Sequence, residues 1–186
     1  LVRKTGSTLL VAKLDRLSRK VSFIATLMDD KKVDFDKHYQ GAKKVLIVCT
    51  EIRYMVMENG KKFSTGNHPV ETIQPLMHLR NAGFDFDVAT PTGKPACLEM
   101  WALPLKDQEF MEYFESQKSK FDKPKSLQEI VKSTKTMEEY VAVFTPGGQG
   151  AMLGLPDDPS LGTMIDFVVQ KDLYLMSVCH GPATFL

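Results

Sequence analysis

Three short segments carry residues able to do chemistry. The first is Ser177-Val178-Cys179-His180-Gly181-Pro182-Ala183. An apolar run leads straight into Cys179, Gly181 permits a sharp turn, and Pro182 suits the first turn of a helix. A cysteine on such a strand-to-helix elbow holds its sulfur above the carboxyl edge of a sheet, as the serine elbow of hydrolases does. A helix N-terminus and nearby backbone N–H groups favour thiolate over thiol, which predicts a nucleophile populated near neutral pH. His180, next in the chain, could orient the sulfur or exchange protons with it. The competing reading is a buried structural cysteine at a strand end. Cys49 is the internal control, because it also ends an apolar run but is followed by Thr50, Glu51 and Ile52, with no elbow. Cys97 sits in a Pro-containing loop with no base beside it in sequence.

The second segment is Thr145-Pro146-Gly147-Gly148-Gln149-Gly150-Ala151. Its glycines let backbone N–H groups approach a ligand closely, which is how an oxyanion site is built, so Gly147 and Gly148 are candidates for that role. The third is Phe63-Ser64-Thr65-Gly66-Asn67-His68-Pro69-Val70-Glu71-Thr72. Here Asn67 is expected to cap a helix, with Glu71 in its first turn. By itself a first-turn Glu is an ordinary helix-dipole charge.

These segments need elements to hold them. Four short apolar runs, at 45–49, 84–89, 140–144 and 173–178, each stop at turn-rich or polar sequence, the pattern of buried parallel strands. Between the first two, Val70, Ile73, Leu76 and Met77 share one helical face over residues 68–82, and Gly83 sits where a C-terminal cap belongs. Pro75 within that pattern predicts a kink or an early stop. Phe110, Tyr113 and Phe114 form a core stripe, and residues 160–171 read as a further helix. Strands alternating with helices imply an α/β sheet. Residues 91–104, with Trp101, and the Lys-rich 117–125 read as insertions around a small lid, giving a cap at about 91–125.

The 186 residues suffice for one to one and a half domains, and 43% hydrophobic against 25% charged residues excludes a disordered or fibrous chain. The net charge of +1 suggests neither a nucleic acid nor a membrane partner, but it hides an asymmetry. Residues 1–35 carry eight Lys/Arg against four Asp, whereas residues 36–186 carry 16 against 19 acids. The chain opens on Leu1 and closes on Leu186 within an apolar run, and both ends read as cut. Three dispersed cysteines fit a reducing compartment. No apolar stretch reaches the roughly 18 residues that span a bilayer, and no signal peptide is legible, so the expectation is a cytoplasmic protein.

Residues 8–12 read as a strand and 13–30 as a helix. The run Leu9-Leu10-Val11-Ala12-Lys13-Leu14-Asp15-Arg16-Leu17-Ser18-Arg19 resembles the serine recombinase (resolvase/invertase) catalytic domain. The resemblance covers about residues 1–35 and implies a phosphate-contact role for Arg16 and Arg19, a task that suits bidentate guanidinium groups. The nucleophilic serine segment of that family is missing, so the segment reads as a remnant without recombinase activity.

Residues 38–186 resemble the HchA-type branch of the DJ-one/PfpI superfamily, known as glyoxalase III, protein deglycase and holding chaperone. The Cys-His-Gly-Pro elbow and Pro-Gly-Gly turn are shared across the superfamily. The run from Lys61 to Thr72, with Gly83 to Thr90 and Trp101-Ala102-Leu103-Pro104, selects the branch. The resemblance implies a three-layer, flavodoxin-like sandwich of the class I glutamine amidotransferase kind, with a mostly parallel sheet and helices on both faces, incomplete at the C-terminus. It implies Cys179 as nucleophile toward methylglyoxal or glyoxal, Glu71 as its acidic partner and proton shuttle, and His180 as the triad histidine. The backbone around Gly148 and His180, with Gly147 in the same turn, would hold the oxyanion. The product would be a 2-hydroxy acid, formed without glutathione or any organic cofactor, and glycated proteins would be further substrates.

The branch also implies a homodimer for its full-length members. Its metal site, a His, Glu, His set, aligns here with Arg80, Asp85 and Gln149, so no metal is expected, because an Arg and a Gln cannot replace two imidazoles. His68 and His78 read as capping or surface histidines. The family's triad acid follows the elbow, and this chain stops seven residues beyond Cys179, which predicts impaired activity. Alternatives are a holding chaperone for unfolded proteins, or a cysteine peptidase or amidotransferase relative. Neither a membrane nor DNA is an expected partner.

Overall fold

The computed structural model describes residues 38–185. The chain divides into two units between Tyr39 and Gln40, and the described strands and helices belong to the second. The strand and helix expected near the amino terminus, with Arg16 and Arg19, lie outside the described residues.

The central strand β1 (Lys44–Val48) is a Lys followed by four buried apolar residues, as a strand covered on both faces must be. A hairpin follows, β2 (Tyr54–Val56) and β3 (Lys62–Ser64), which pair antiparallel apart from the main sheet. Next come α1 (Pro69–Asn81), β4 (Phe86–Thr90), α2 (Gln108–Asp122), β5 (Lys125–Ser126), α3 (Leu127–Ile130) and α4 (Thr134–Met137). The series closes with β6 (Tyr140–Thr145), α5 (Pro159–Gln170) and β7 (Tyr174–Ser177). The five main strands lie in the order β5-β4-β1-β6-β7, every pair parallel.

Helices cover both faces. On one, Ile73 and Leu76 of α1 and Phe110, Phe114 and Phe121 of α2 pack over Val45, Ile47, Phe86 and Val88. On the other, Leu127 and Ile130 of α3 join Leu161, Met164, Phe167 and Val168 of α5 over Leu46, Val48 and Val143. The result is the expected three-layer, flavodoxin-like sandwich. From β1 the chain moves to β4 and β5 on one side, and from β6 to β7 on the other. The connections therefore diverge between β1 and β6, and open α/β sheets bind ligands at the carboxyl ends of strands at such a switch point.

Three expectations change in the structure. α1 runs through Pro75 to Asn81 rather than stopping there, with Ile73 and Leu76 fully buried on either side. Its end is as expected: Gly83, at φ +90°, donates to Arg80 O, and Phe84 donates to Leu79 O, which closes a Schellman motif. The stretch expected as a cap, 91–125, divides. Residues 108–122 form the crossover helix α2, held to the sheet by three buried phenylalanines, and Lys125 and Ser126 form the edge strand β5. The hairpin β2–β3 was not anticipated, because its alternation is short and largely solvent-exposed.

Candidate active site

Cys179 lies two residues past β7 and adopts φ +55°, a left-handed conformation that a side chain takes only under constraint. The constraint is visible. Gly181 N donates to Val178 O at 2.8 Å, the hydroxyl of Thr184 donates to Gly181 O at 2.7 Å, and a Cβ on Gly181 would overlap Thr145 O of β6. The elbow expected from sequence is thus present, pressed against β6, but it leads into a short 3-10 turn, Gly181–Phe185.

Glu71, in the first turn of α1, comes to the same place. A Cβ on Gly147 would overlap Glu71 Oε2 and lie 2.6 Å from Cys179 Cβ and 2.9 Å from Val178 O. Gly147 therefore fills the gap between acid and thiol, and no larger residue fits. Glu71 Oε2 is buried and has no hydrogen-bond partner among the described residues. Cys179 Sγ lies 3.3 Å from His180 Nδ1. Backbone N–H groups of His180 and Gly148 point at the sulfur.

The electrostatic outcome corrects the expectation of a populated thiolate. Partial burial and the adjoining Glu71 carboxyl raise the Cys179 thiol above its usual range, and the two backbone N–H groups only partly offset them. The resting sulfur holds its proton, facing a carboxyl that can take it. Cys49 is fully buried, and desolvation pushes its thiol far up. Cys97 is also raised, chiefly by burial, with Arg53 lowering it and Glu51 raising it. Cys179 is the exposed thiol of the three.

The turn that carries Gly147 and Gly148 is held by a residue whose task differs from the expected one. Asn67 does not cap α1. His68 does, its Nδ1 accepting from Glu71 N at 3.5 Å. The buried Asn67 side chain instead spans the switch point. Its Oδ1 accepts from Thr50 N at 2.8 Å, and its Nδ2 donates to Pro146 O at 3.1 Å and Gly147 O at 3.0 Å. His68 N also donates to Gly147 O. Gly148 takes φ +95°, and a Cβ there would overlap His68 N, which explains why the second glycine is needed. Behind it, Glu99 accepts from Gln149 N. Sequence reasoning missed Asn67 in this role and Glu99 altogether. A signal existed for Glu99, a lone acid inside the run Leu98-Glu99-Met100-Trp101-Ala102-Leu103.

Arg80, Asp85 and Gln149 are not brought together. Asp85 directly precedes β4, at the amino edge of the sheet, whereas Gln149 follows β6 at the carboxyl edge. The glutamine that joins Arg80 and Asp85 is Gln117 of α2, which shares with them a cavity of about 390 Å³. Among the described residues no group of three or more His, Cys, Asp or Glu converges as a metal site. No helix among them is long and apolar enough to cross a membrane.

No family model matches the chain. It is 44% identical over 164 residues to the protein/nucleic acid deglycase HchA of Escherichia coli O1:K1, a match covering 88% of this chain and 58% of that protein. The chain thus spans a little over half the length of the curated relatives it matches. The match leaves 22 of the 186 residues outside it, so it reaches back before residue 38. Among solved structures, glyoxalase III of Candida albicans superposes with a TM-score of 0.63 at 24% identity, covering 77% of this chain and 59% of that one. The Rapid Encystment Protein 24 kDa of Francisella tularensis gives 0.64 at 20%, covering 76% and 60%. These two support the fold alone, and the sequence match shows similarity to an HchA deglycase. The recombinase resemblance is not shown.

Proposed function

We propose that this chain, similar over most of its length to an HchA-type deglycase, carries a glyoxalase III/deglycase site in which Cys179 and Glu71 act as a thiol–carboxyl pair. The observation that carries this reading is their meeting across Gly147, beneath the N–H groups of Gly148 and His180.

The chemistry follows from that geometry. As the Cys179 sulfur adds to the aldehyde carbon of methylglyoxal, the thiol proton passes to Glu71. The carbonyl oxygen becomes an oxyanion under the backbone N–H groups and is protonated to give a hemithioacetal. Glu71, again a carboxylate once that proton is delivered, removes the proton from C1. The resulting enediol receives a proton at C2, which leaves the thioester of lactate on Cys179. Water cleaves the thioester, releasing lactate and restoring the thiol. One water is consumed, nothing is oxidised overall, and no cofactor is required. His180, against the sulfur, suits the proton transfers of the last step. The same thiol would act on the hemithioacetal and aminocarbinol adducts that glyoxals form with proteins.

The relative's name is that of a deglycase, and the chaperone, peptidase and amidotransferase alternatives are not favoured. The test is lactate formation from methylglyoxal by the purified chain. The expected result is turnover that Cys179→Ser abolishes and Glu71→Gln lowers by roughly 10²–10⁴-fold. No lactate from the wild-type chain, or undiminished lactate from Cys179→Ser, would overturn the reading.

A further inference from the structure

Glu99 is a buried carboxylate that the reaction above does not use. Its residue is 2% exposed, and it opens the 3-10 turn Met100–Ala102. Oε1 accepts from Gln149 N at 3.1 Å and from the hydroxyl of Thr65 at 3.3 Å, and its own N–H donates to Asn67 O at 3.0 Å. Withdrawing a carboxylate from water is costly unless donors replace the solvent, and here one of those donors belongs to the glycine turn itself.

The place of that donor matters. Gly148 is the hinge of the turn, with φ +95° and no side chain to restrict it. Before the hinge, Asn67 and His68 hold the carbonyl of Gly147. After it, Gly66 O takes Gly150 N, and Glu99 takes Gln149 N, the peptide adjoining the hinge. The Gly148 N–H shares its planar peptide with Gly147 O, which Asn67 and His68 hold, and the charge-assisted hydrogen bond to Glu99 fixes the peptide on the far side of the hinge, so the hinge is tied at both ends.

We propose that Glu99 is a positioning residue that pins the Gln149 peptide and so keeps the Gly148 N–H aimed at Cys179 and at the oxyanion formed there. The inference rests on the thiol reading of the site, but its test needs no turnover.

The experiment is the pH dependence of iodoacetamide alkylation at Cys179, read on the Cys179 peptide by mass spectrometry so that Cys49 and Cys97 do not contribute. The groups facing the thiol are Glu71 and His180, and both are retained in every variant. Glu99→Ala is expected to move the profile to higher pH and to slow alkylation near pH 7.5 by about three- to tenfold. Glu99→Gln keeps an acceptor and is expected to stay within about twofold of wild type. Gln149→Pro supplies an independent variant. It removes the N–H together with the glutamine side chain, at a first helical position after a Gly148 ψ of 154° that proline accepts, and against Gln149→Ala, which loses the side chain only, it should slow alkylation as Glu99→Ala does. In lactate formation, Glu99→Ala should lower kcat with little change in KM. Wild-type alkylation profiles in Glu99→Ala and Gln149→Pro, even with a lowered Tm, would overturn the inference, as would equal slowing in Glu99→Gln. If the wild-type chain makes no lactate, the proposed activity fails, and the alkylation profiles still decide the role of Glu99.

Discussion

The two edges of the sheet are built on opposite principles. At the amino edge, order comes from charge. Asp87, its side chain only 13% exposed, receives Lys125 Nζ at 2.6 Å, Lys44 Nζ at 3.4 Å and the buried Tyr140 hydroxyl at 3.1 Å, while Asp85 pairs with Lys44 and Lys120. At the carboxyl edge, order comes from contact. Glycines at 147, 148 and 181 let backbone segments approach so closely that one methyl group would not fit, and the neutral Asn67 ties the ends of β1 and β6 together. Charge networks tolerate small movements, because long side chains follow their partners. Close backbone approach does not, and the thiol and carboxyl of the site sit where it is tightest.

That contrast can be broken or sharpened by substitution. The largest effect is expected at the carboxyl edge. Gly148→Ala needs both a strained φ and a backbone shift, and should cost on the order of 3 kcal/mol or more, read as a fall in Tm, with lactate formation lost. Asn67→Ala should follow at about 2–4 kcal/mol in urea unfolding, because it orphans Thr50 N–H and Pro146 O and leaves Gly147 O with His68 N as its remaining donor. If it proves neutral, the carboxyl edge is not held by contact.

At the amino edge, Asp87→Ala should cost about 1–3 kcal/mol, mostly from leaving the Tyr140 hydroxyl without its acceptor. Burial alone would raise the Asp87 carboxyl, but Lys125, Lys44 and Tyr140 outweigh it and hold it below the usual carboxylate range. A folded pKa below the unfolded one gives stability that is present above about pH 4 and lost as the pH falls through the folded value. The wild-type Tm should therefore fall in acid more steeply than that of Asp87→Ala. The smallest effect is expected for Lys171→Ala. Its pair with Glu138 at 3.4 Å is half exposed on both sides and should matter by no more than about 0.5 kcal/mol.

The same division separates what the sequence made legible from what it hid. β1 and β6 could be read because a parallel strand covered on both faces must be a near-continuous apolar run, as in Val45-Leu46-Ile47-Val48, and β4 and β7 because short apolar runs there stop at polar sequence. Cys179, Gly147 and Gly148 could be read because a turn chemistry and a nucleophile coincide within a few residues. The roles of Asn67 and Glu99 were hidden, because their partners lie 17 to 80 residues away and local sequence offers a plausible cap for one and nothing for the other. Asp85 was read through a metal alignment, whereas its side chain pairs with Lys44 and Lys120. The thiol's protonation was misread because backbone N–H groups were weighed without the Glu71 carboxyl that packs beside them.

The central claim, that Glu71 sets the state of the Cys179 sulfur, is tested most directly by the alkylation rate of Cys179 against pH in Glu71→Gln. Removing the carboxylate removes a charge that favours the protonated thiol, so the profile should move to lower pH and alkylation near neutrality should quicken, while lactate formation falls. An alkylation profile unchanged from wild type, or one moved to higher pH, would contradict the account.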